Sequence, residues 1–235
     1  MKNIIIASTS TLHGSGYLEY ILEDLEFFFK DVKEIIFIPY ARPGGISHDE
    51  YTEKAKEAFS KINISVTGLH TFDNPNKAIK NAEGIFVGGG NTFVLTNQLY
   101  KNNLIDVLKK AINNGTRYIG TSAGSNICGL TIKNTNDMPI IYPPSFNALA
   151  LVPFNINPHY LDPDLNSKHM GETRETRIKE FHHFNTHPVV GLREGSWLYV
   201  KDDSITLKGA LTARVFEYNK QPYEVEPNTE LNTLK

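Results

Sequence analysis

Continuously apolar segments alternate with amphipathic segments through the first half of this chain. An apolar run without polar alternation is typical of a strand buried on both faces, and such strands separated by helices form parallel sheets. The predicted strands are NIIIAS (3–8), EIIFIPY (34–40), ISVTGLH (64–70), GIFVGG (84–89) and TRYIG (116–120). The segments between them predict helices at 17–32, 48–62, 74–82 and 91–115, the last broken near Lys101 to Asn103. The pattern therefore predicts an α/β fold whose parallel sheet is covered by helices on both faces.

The last third of the chain is less regular. Residues 138–160 are rich in proline and predict loops and short strands, whereas residues 171–184 predict a helix. Residues 189–218 predict a β-rich part with hairpin turns. Since no repeat or linker interrupts the chain, residues 1–235 are predicted to form a single α/β domain with a β-rich C-terminal part.

Charge and cysteine content remove the arguments for several classes of protein. The formal net charge of −2 gives no electrostatic reason to expect a nucleic-acid or membrane-surface partner. Cys128 is the single cysteine, so no intramolecular disulfide is possible. The apolar run Ile4–Ala7 is shorter than a secretory signal requires, and no segment approaches a membrane span. A soluble, cytoplasmic protein is predicted, a monomer or small homo-oligomer.

A serine boxed by small residues follows the fifth predicted strand, in Gly120-Thr121-Ser122-Ala123-Gly124. Small residues two before and two after a serine are what a tight strand-to-helix elbow requires, because larger side chains would collide with the neighbouring backbone. Such an elbow exposes its serine as a candidate nucleophile. The alternative interpretation is a glycine-rich turn with an incidental serine, because short motifs often match by chance.

A nucleophilic serine needs a base, and the base needs a carboxylate to orient it. Among eight histidines, His159 follows Pro158, which stiffens the approach to it, although a loop histidine is more often structural. Asp137 and Glu194 both lie in predicted loops, and either is also explained as a turn residue. Spacing alone does not choose between them.

Two further segments carry candidate binding groups. FVGGGNTF (86–93) ends a strand and opens a helix, and its bare amides are suited either to a bound anion or to an oxyanion hole formed by Gly88 or Gly89 with Ala123. It matches neither GxGxxG nor the Walker pattern. Arg174 and Arg177 share one face of a predicted helix. The plain interpretation is a solvated charged face. The functional interpretation is that an arginine makes a bidentate contact with a substrate carboxylate.

Taken together and in order, these segments resemble serine peptidase family S51, the group that includes peptidase E (an α-aspartyl dipeptidase) and cyanophycinase. The resemblance covers nearly the whole chain. It rests on STSTLHG, FIPYA, DEYTEKA, VTGLH, VGGGNTF, YIGTSAGSN, NDMPI, INPHY, GETRETRI and GLREGSW.

The resemblance implies a three-layer, doubly wound, mostly parallel sheet similar to class I glutamine amidotransferases. It implies removal of N-terminal aspartate from Asp-Xaa dipeptides without metal or organic cofactor. Ser122 matches the nucleophile, His159 the base, and both Asp137 and Glu194 match positions proposed for the third member. The remaining matches are the oxyanion residues Gly88, Gly89 and Ala123 and the substrate-binding residues Asn91, Thr92, Arg174 and Arg177.

One position departs from the family pattern. Members often carry tryptophan directly before the nucleophile, where this chain has Thr121. The smaller side chain is expected to widen the pocket and to relax the selection of aspartate. The alternatives to an aspartyl dipeptidase are a serine exopeptidase of different acidic specificity, acting on β-aspartyl or cyanophycin-derived dipeptides, and a non-catalytic module that binds an anion with its two glycine loops.

Overall fold

The computed structural model describes residues 1–163 and 171–234. The strands are β1 (Asn3–Ala7), β2 (Glu34–Ile38), β3 (Ser65–Gly68), β4 (Gly84–Val87), β5 (Arg117–Thr121), β6 (Asn155–Pro158), β7 (Val189–Leu192), β8 (Ser196–Lys201), β9 (Ser204–Gly209), β10 (Ala213–Phe216) and β11 (Tyr223–Val225). The helices are α1 (Leu22–Phe28), α2 (His48–Ser60), α3 (Pro75–Asn81), α4 (Thr92–Lys101), α5 (Ile105–Asn113), α6 (Ala123–Asn126) and α7 (Arg174–Phe181). All five strands predicted in the first half are present.

A seven-stranded sheet of order β3-β2-β4-β5-β1-β8-β9 forms the centre of the protein. The strands from β1 to β5 pair in parallel, and β8 and β9 continue the sheet as an antiparallel hairpin beside β1. The mostly parallel sheet predicted from the sequence is confirmed.

Each face of this sheet packs against its own set of helices. Ile5, Phe37 and Phe86 lie in one apolar cluster with α1 and α2, whereas Ile6 and Val87 lie in the other with α4 and α5. Because successive residues of a strand point to opposite faces, burial of both faces requires apolar residues at every position. This explains the continuous apolar runs in the sequence and gives the three layers.

Local capping signals set the beginnings of several helices. Ser47 Oγ accepts from the Glu50 amide in a capping box at α2, and Asn74 caps α3 with Pro75 at its first position. The predicted helix over 91–115 is two helices, with the break after Lys101 as expected. None of the described helices is long and apolar enough to cross a lipid bilayer.

The β-rich C-terminal part divides between two sheets, which its sequence did not predict. While β8 and β9 join the central sheet, a second sheet has the order β11-β10-β7-β6. In it β6 and β7 run parallel, with Pro158 opposite Leu192. The residues that follow these two strands, His159 and Glu194, are therefore brought to the same edge.

Candidate active site

The tight turn predicted around Ser122 is present at the end of β5. Ser122 has φ 52° and ψ −111°, a conformation that non-glycine residues rarely adopt. A Cβ added at Gly120 would collide with the carbonyl of Gly124, and one added at Gly124 would collide with the carbonyl of Val87. The two glycines are therefore required by backbone contacts, and the turn carries the serine above the edge of the sheet.

Hydrogen bonds hold the elbow in this conformation. The Ser122 amide donates to the Ala7 carbonyl at 3.2 Å. Ser125 Oγ is buried and lies 2.6 Å from the Ala7 carbonyl oxygen and 2.7 Å from that of Gly120. By contrast, Ser122 Oγ makes no hydrogen bond with any described residue. The hydroxyl is left free to react while its backbone is fixed on both sides.

His159 and Glu194 are joined by a short hydrogen bond. His159 Nδ1 lies 2.6 Å from Glu194 Oε1, and their side chains are 36% and 44% exposed. An ionised carboxylate only accepts hydrogen bonds, so Nδ1 is the donor of this bond, and in a neutral imidazole Nε2 then keeps a free lone pair. The backbone of His159 has φ 54°, and its amide donates to Ser8 Oγ at 2.9 Å.

Asp137 occupies a different place from Glu194. Its Oδ2 accepts from the Thr92 amide at 2.6 Å and lies 3.3 Å from Thr135 Oγ1, at the N-terminus of α4. Within the described parts of the chain it makes no hydrogen bond to His159. Of the two carboxylates that the sequence left open, it is Glu194 that contacts the imidazole.

One small cavity, of about 170 Å³, brings six of the predicted site residues together. It is lined by Thr92, Ser122, Ala123, Thr135, Asn136, Asp137, Pro158, His159 and Arg174. Ser122 and His159 face it from different sheets. The cavity therefore combines a free hydroxyl, a base, a cation and an anion within reach of one small molecule.

Arg174 supplies the positive charge of the cavity from the first residue of α7. Burial lowers the pKa of its guanidinium below the ordinary value, the neighbouring Arg177 lowers it further, and Asp137 raises it. No ion-pair partner of Arg174 is found among residues 1–163 and 171–234. A partly desolvated guanidinium of this kind favours an anionic ligand.

Arg177 and Asn91 do not line the cavity, contrary to expectation. Arg177 is 53% exposed and faces Glu172 at 3.7 Å. Asn91 caps α4 through Oδ1, and its Nδ2 donates to the Met138 carbonyl at 2.9 Å. Asn91 thereby fastens the segment carrying Asp137 to the helix, and neither Asn91 nor Arg177 lies in the cavity.

The Gly88 amide donates to the Ile38 carbonyl at 3.2 Å and so continues the sheet, which leaves Gly89 of the two glycines that the sequence offered for an oxyanion hole. The amides of Gly89 and Ala123 find no acceptor among the described residues. A Cβ added at Gly89 would lie 2.9 Å from Ser122 Cβ, so the Gly89 backbone packs directly against the serine. Gly89 thus adjoins Ser122 in space, and Ala123 follows it directly in the chain.

Thr121 lies away from the cavity. Its side chain is fully buried within the central sheet, where it pairs with Ala7, and it is not among the cavity-lining residues. The small residue at this position therefore does not line the cavity, and its effect on the selection of aspartate stays a prediction. Successive strand residues point to opposite faces, which separates Thr121 from Ser122 despite their adjacency.

Three positioning contacts were missed from sequence. Asn136 Nδ2 donates to the Pro158 carbonyl at 2.9 Å, and Thr135 lines the cavity beside it. Ser8 Oγ donates to the Leu192 carbonyl at 2.8 Å while accepting from His159. Only the placement of Ser8 at the end of a predicted strand gave any signal for these contacts.

Cys128 is excluded as an alternative nucleophile. It is fully buried in the turn that follows α6, and burial raises the pKa of its thiol to about 12. The reactive form of cysteine is the thiolate, and a thiol with so high a pKa stays protonated near neutral pH.

Comparison with known proteins agrees with this geometry. The model of peptidase family S51 matches residues 4–208. A Drosophila melanogaster protein named "Probable alpha-aspartyl dipeptidase" is 45% identical over 99% of this chain and 97% of its own length. Peptidase E of Streptomyces coelicolor is also 45% identical, over 99% and 94%.

A solved structure shares the fold. The crystal structure of a peptidase from an acI-B1 Actinobacterium has a TM-score of 0.73 and 15% sequence identity, covering 98% of this chain and 96% of that one. With the family match and the relatives that span nearly the whole chain, the protein is a hydrolase, and it belongs to peptidase family S51, the serine peptidases.

Proposed function

We propose that this protein hydrolyses dipeptides with an N-terminal aspartate through an acyl-enzyme on Ser122, with residues 1–235 acting as one peptidase domain. The observation that carries the proposal is that Ser122, His159 and Arg174 line a single small cavity. The name of the Drosophila relative supports the choice of substrate. The single, buried and unpaired cysteine is in keeping with a cytoplasmic location.

The proposed reaction begins when His159 Nε2 removes the Ser122 proton as Oγ bonds to the carbonyl carbon of the aspartyl residue. The amides of Gly89 and Ala123 stabilise the resulting oxyanion, and each such donor is typically worth about 10²–10³ in rate. The carbon–nitrogen bond then breaks, and His159 returns the proton to the leaving amine. Water, deprotonated by His159, attacks the ester, releases aspartate and restores the serine hydroxyl.

The charges at the cavity explain a preference for substrates whose N-terminal residue is acidic. The Arg174 guanidinium is placed to pair with the substrate β-carboxylate, and Asp137 offers a counter-charge for the free α-ammonium that only an N-terminal residue carries. A cavity of about 170 Å³ admits a small side chain. A buried charge left unpaired is costly, so an uncharged side chain is rejected.

Asp-p-nitroanilide is expected to be cleaved at least about 10²-fold faster, in kcat/KM, than the Asn and Leu analogues, and N-acetyl-Asp-p-nitroanilide hardly at all. Arg174→Met is expected to remove most of the preference for Asp over Asn, because the guanidinium supplies it. Arg177→Met serves as the matched control, since its side chain faces Glu172 outside the cavity. Release of p-nitroaniline measures all of these.

Equal cleavage of the Asn and Asp compounds would contradict a carboxylate-reading pocket while leaving the peptidase in place. If β-linked Asp-Leu were cleaved faster than α-linked Asp-Leu, the specificity would be that of a β-aspartyl or cyanophycin-derived dipeptidase. Failure on every dipeptide, with no labelling of Ser122 by a fluorophosphonate, would leave only an anion-binding module.

Glu194→Gln and Asp137→Asn are expected to act on different kinetic constants. Glu194→Gln keeps the shape but cannot stabilise the imidazolium, so kcat falls by about 10²–10⁴-fold with little change in KM. Asp137→Asn removes a counter-charge that we assign to substrate binding, so its effect falls mainly on KM. Steady-state kinetics with Asp-p-nitroanilide separate the two, and a larger loss of kcat in Asp137→Asn would reverse the assignment.

A further inference from the structure

A dense group of ion pairs surrounds Arg193, the residue directly before Glu194. Its guanidinium side chain is 16% exposed. Nε and Nη2 each lie 2.8 Å from the carboxylate oxygens of Asp162, a bidentate pair, and Nη1 and Nη2 lie 2.8 Å and 3.0 Å from those of Glu224. Nη1 also donates to the Thr212 carbonyl at 2.9 Å. Every nitrogen of the fork is therefore engaged by at least one oxygen.

The partners of Arg193 come from three separate segments around the catalytic pair. Asp162 lies three residues after His159, Thr212 directly precedes β10, and Glu224 belongs to β11. The guanidinium also lies over the ring of Tyr160, 5.5 Å from its centroid. One side chain thus ties the turn that carries Glu194 and the segment that carries His159 to the hairpin β10–β11.

The same network reaches the helix that carries the cavity's cation. Arg214 on β10 contacts Glu224 and Glu175, both at 3.3 Å. Glu175 is the second residue of α7 and directly follows Arg174. The hairpin is therefore a common support for the base, its carboxylate and the guanidinium of the cavity.

Glu194 depends on such a support because few contacts hold its own side chain in place. Its carboxylate hydrogen-bonds only to His159 within the described part of the chain, and it is 44% exposed. Its position is set by the turn Arg193-Glu194-Gly195-Ser196, closed by the Ser196 amide donating to the Arg193 carbonyl at 3.0 Å. Fixing the Arg193 side chain fixes that turn.

We propose that Arg193 is a positioning residue of the catalytic site, which holds Glu194 against His159 by anchoring their two segments to the hairpin β10–β11. The proposal rests on the function proposed above for Ser122, His159 and Glu194. Asp162 and Glu224 raise the pKa of Arg193 above its ordinary value, so the guanidinium stays charged throughout the working range of pH. Misplacement by about 1 Å of a catalytic group can cost about 10²-fold in rate.

The test compares Arg193→Met, Arg193→Lys and, as a matched control, Arg117→Met. Arg117 is also a poorly exposed arginine in an ion pair, with Asp31 at 3.2 Å, but it lies at the start of β5, far from Ser122. The first readout is the rate at which a fluorophosphonate labels Ser122, which requires an activated serine but no knowledge of the substrate. Thermal unfolding is measured in parallel.

Labelling of Arg193→Met is expected to be slower by about tenfold to 10²-fold, and that of Arg193→Lys to be intermediate, since lysine keeps the charge but cannot bridge two carboxylates. Arg117→Met should keep the wild-type labelling rate even where its Tm falls. With Asp-p-nitroanilide, Arg193→Met should lower kcat and leave KM unchanged, because Arg193 does not touch the substrate.

Wild-type labelling in Arg193→Met, with a lowered Tm, would show that Arg193 is structural only and would overturn this inference alone. Absence of labelling in the unaltered protein would instead overturn the proposed nucleophile, and with it the role of Arg193. If Arg193→Met does not fold, the labelling rates of Arg193→Lys and Glu224→Gln are measured instead. Each of these variants weakens the contacts of Arg193 without removing all of them, so each should label more slowly than the wild type.

Discussion

Replacement of Ser122 by alanine is expected to lower kcat for Asp-p-nitroanilide by about 10⁴–10⁶-fold, the size of effect seen when other serine hydrolases lose their nucleophile. The other hydroxyls that line the cavity, those of Thr92 and Thr135, are hydrogen-bonded to each other at 3.2 Å, and the thiol of Cys128 is buried and protonated. The free energy of unfolding should change by no more than about 0.5 kcal/mol, because Ser122 Oγ has no hydrogen-bond partner to lose among the described residues. Steady-state kinetics and chemical denaturation measure the two quantities.

Ser60→Ala is the matched control, since Ser60 is an exposed serine at the end of α2 and should keep full activity. Mass spectrometry of the fluorophosphonate-treated protein gives an independent result. Label on the Ser122 peptide in the wild type and on no peptide in Ser122→Ala supports the assignment. Near-normal turnover in Ser122→Ala would show that the elbow does not carry the nucleophile.

Gly120→Ala is expected to lower the free energy of unfolding by about 3 kcal/mol or more, at the upper end of what overpacking costs. The added Cβ would meet the backbone carbonyl of Gly124, and a carbonyl held within a turn cannot move aside as a flexible side chain can. In a chain of this size the loss corresponds to a fall in Tm of about 6–12 °C. Activity should fall as well, because the displaced turn carries Ser122.

Gly44→Ala provides the comparison for this variant. Gly44 is exposed, no atom lies within 4 Å of a Cβ added there, and its φ is not positive. Its unfolding free energy should therefore stay within about 1 kcal/mol of the wild type. A Gly120→Ala protein as stable as Gly44→Ala would mean that the backbone around Ser122 is less tightly packed than the structure shows.

The arrangement of the first half of the chain was predictable because its signals are local or periodic. Continuous apolar runs identified β1 to β5, and Asn74-Pro75 identified the beginning of α3. The elbow was predictable for a steric reason. At positions 120 and 124 any residue larger than glycine would place its Cβ against a backbone carbonyl. Single short motifs were ambiguous, whereas many of them in one order resembled a single family.

The role of a single residue was harder to predict where the surrounding backbone decides which of its groups are available to a substrate. Gly88 and Gly89 are alike in sequence, but the sheet continues through the Gly88 amide and ends before that of Gly89. Arg174 and Arg177 share one helix, but Arg174 lines the cavity from its first residue, whereas Arg177, three residues later, faces Glu172 outside the cavity. Thr121 was expected to shape the pocket, but its side chain is buried in the central sheet and does not line the cavity.

By itself, the sequence determined the parallel sheet, the strained elbow and the membership of peptidase family S51, because periodicity, sterics and motif order are properties of neighbouring residues. The tertiary structure alone decided that Glu194, 35 residues from His159, is the carboxylate on the imidazole. It did so through the parallel pairing of β6 with β7, and it also placed Arg193 at the junction with β10–β11. Contacts between strands and turns distant along the chain depend on which sheet each strand joins, and this choice is made by the packing of the whole molecule.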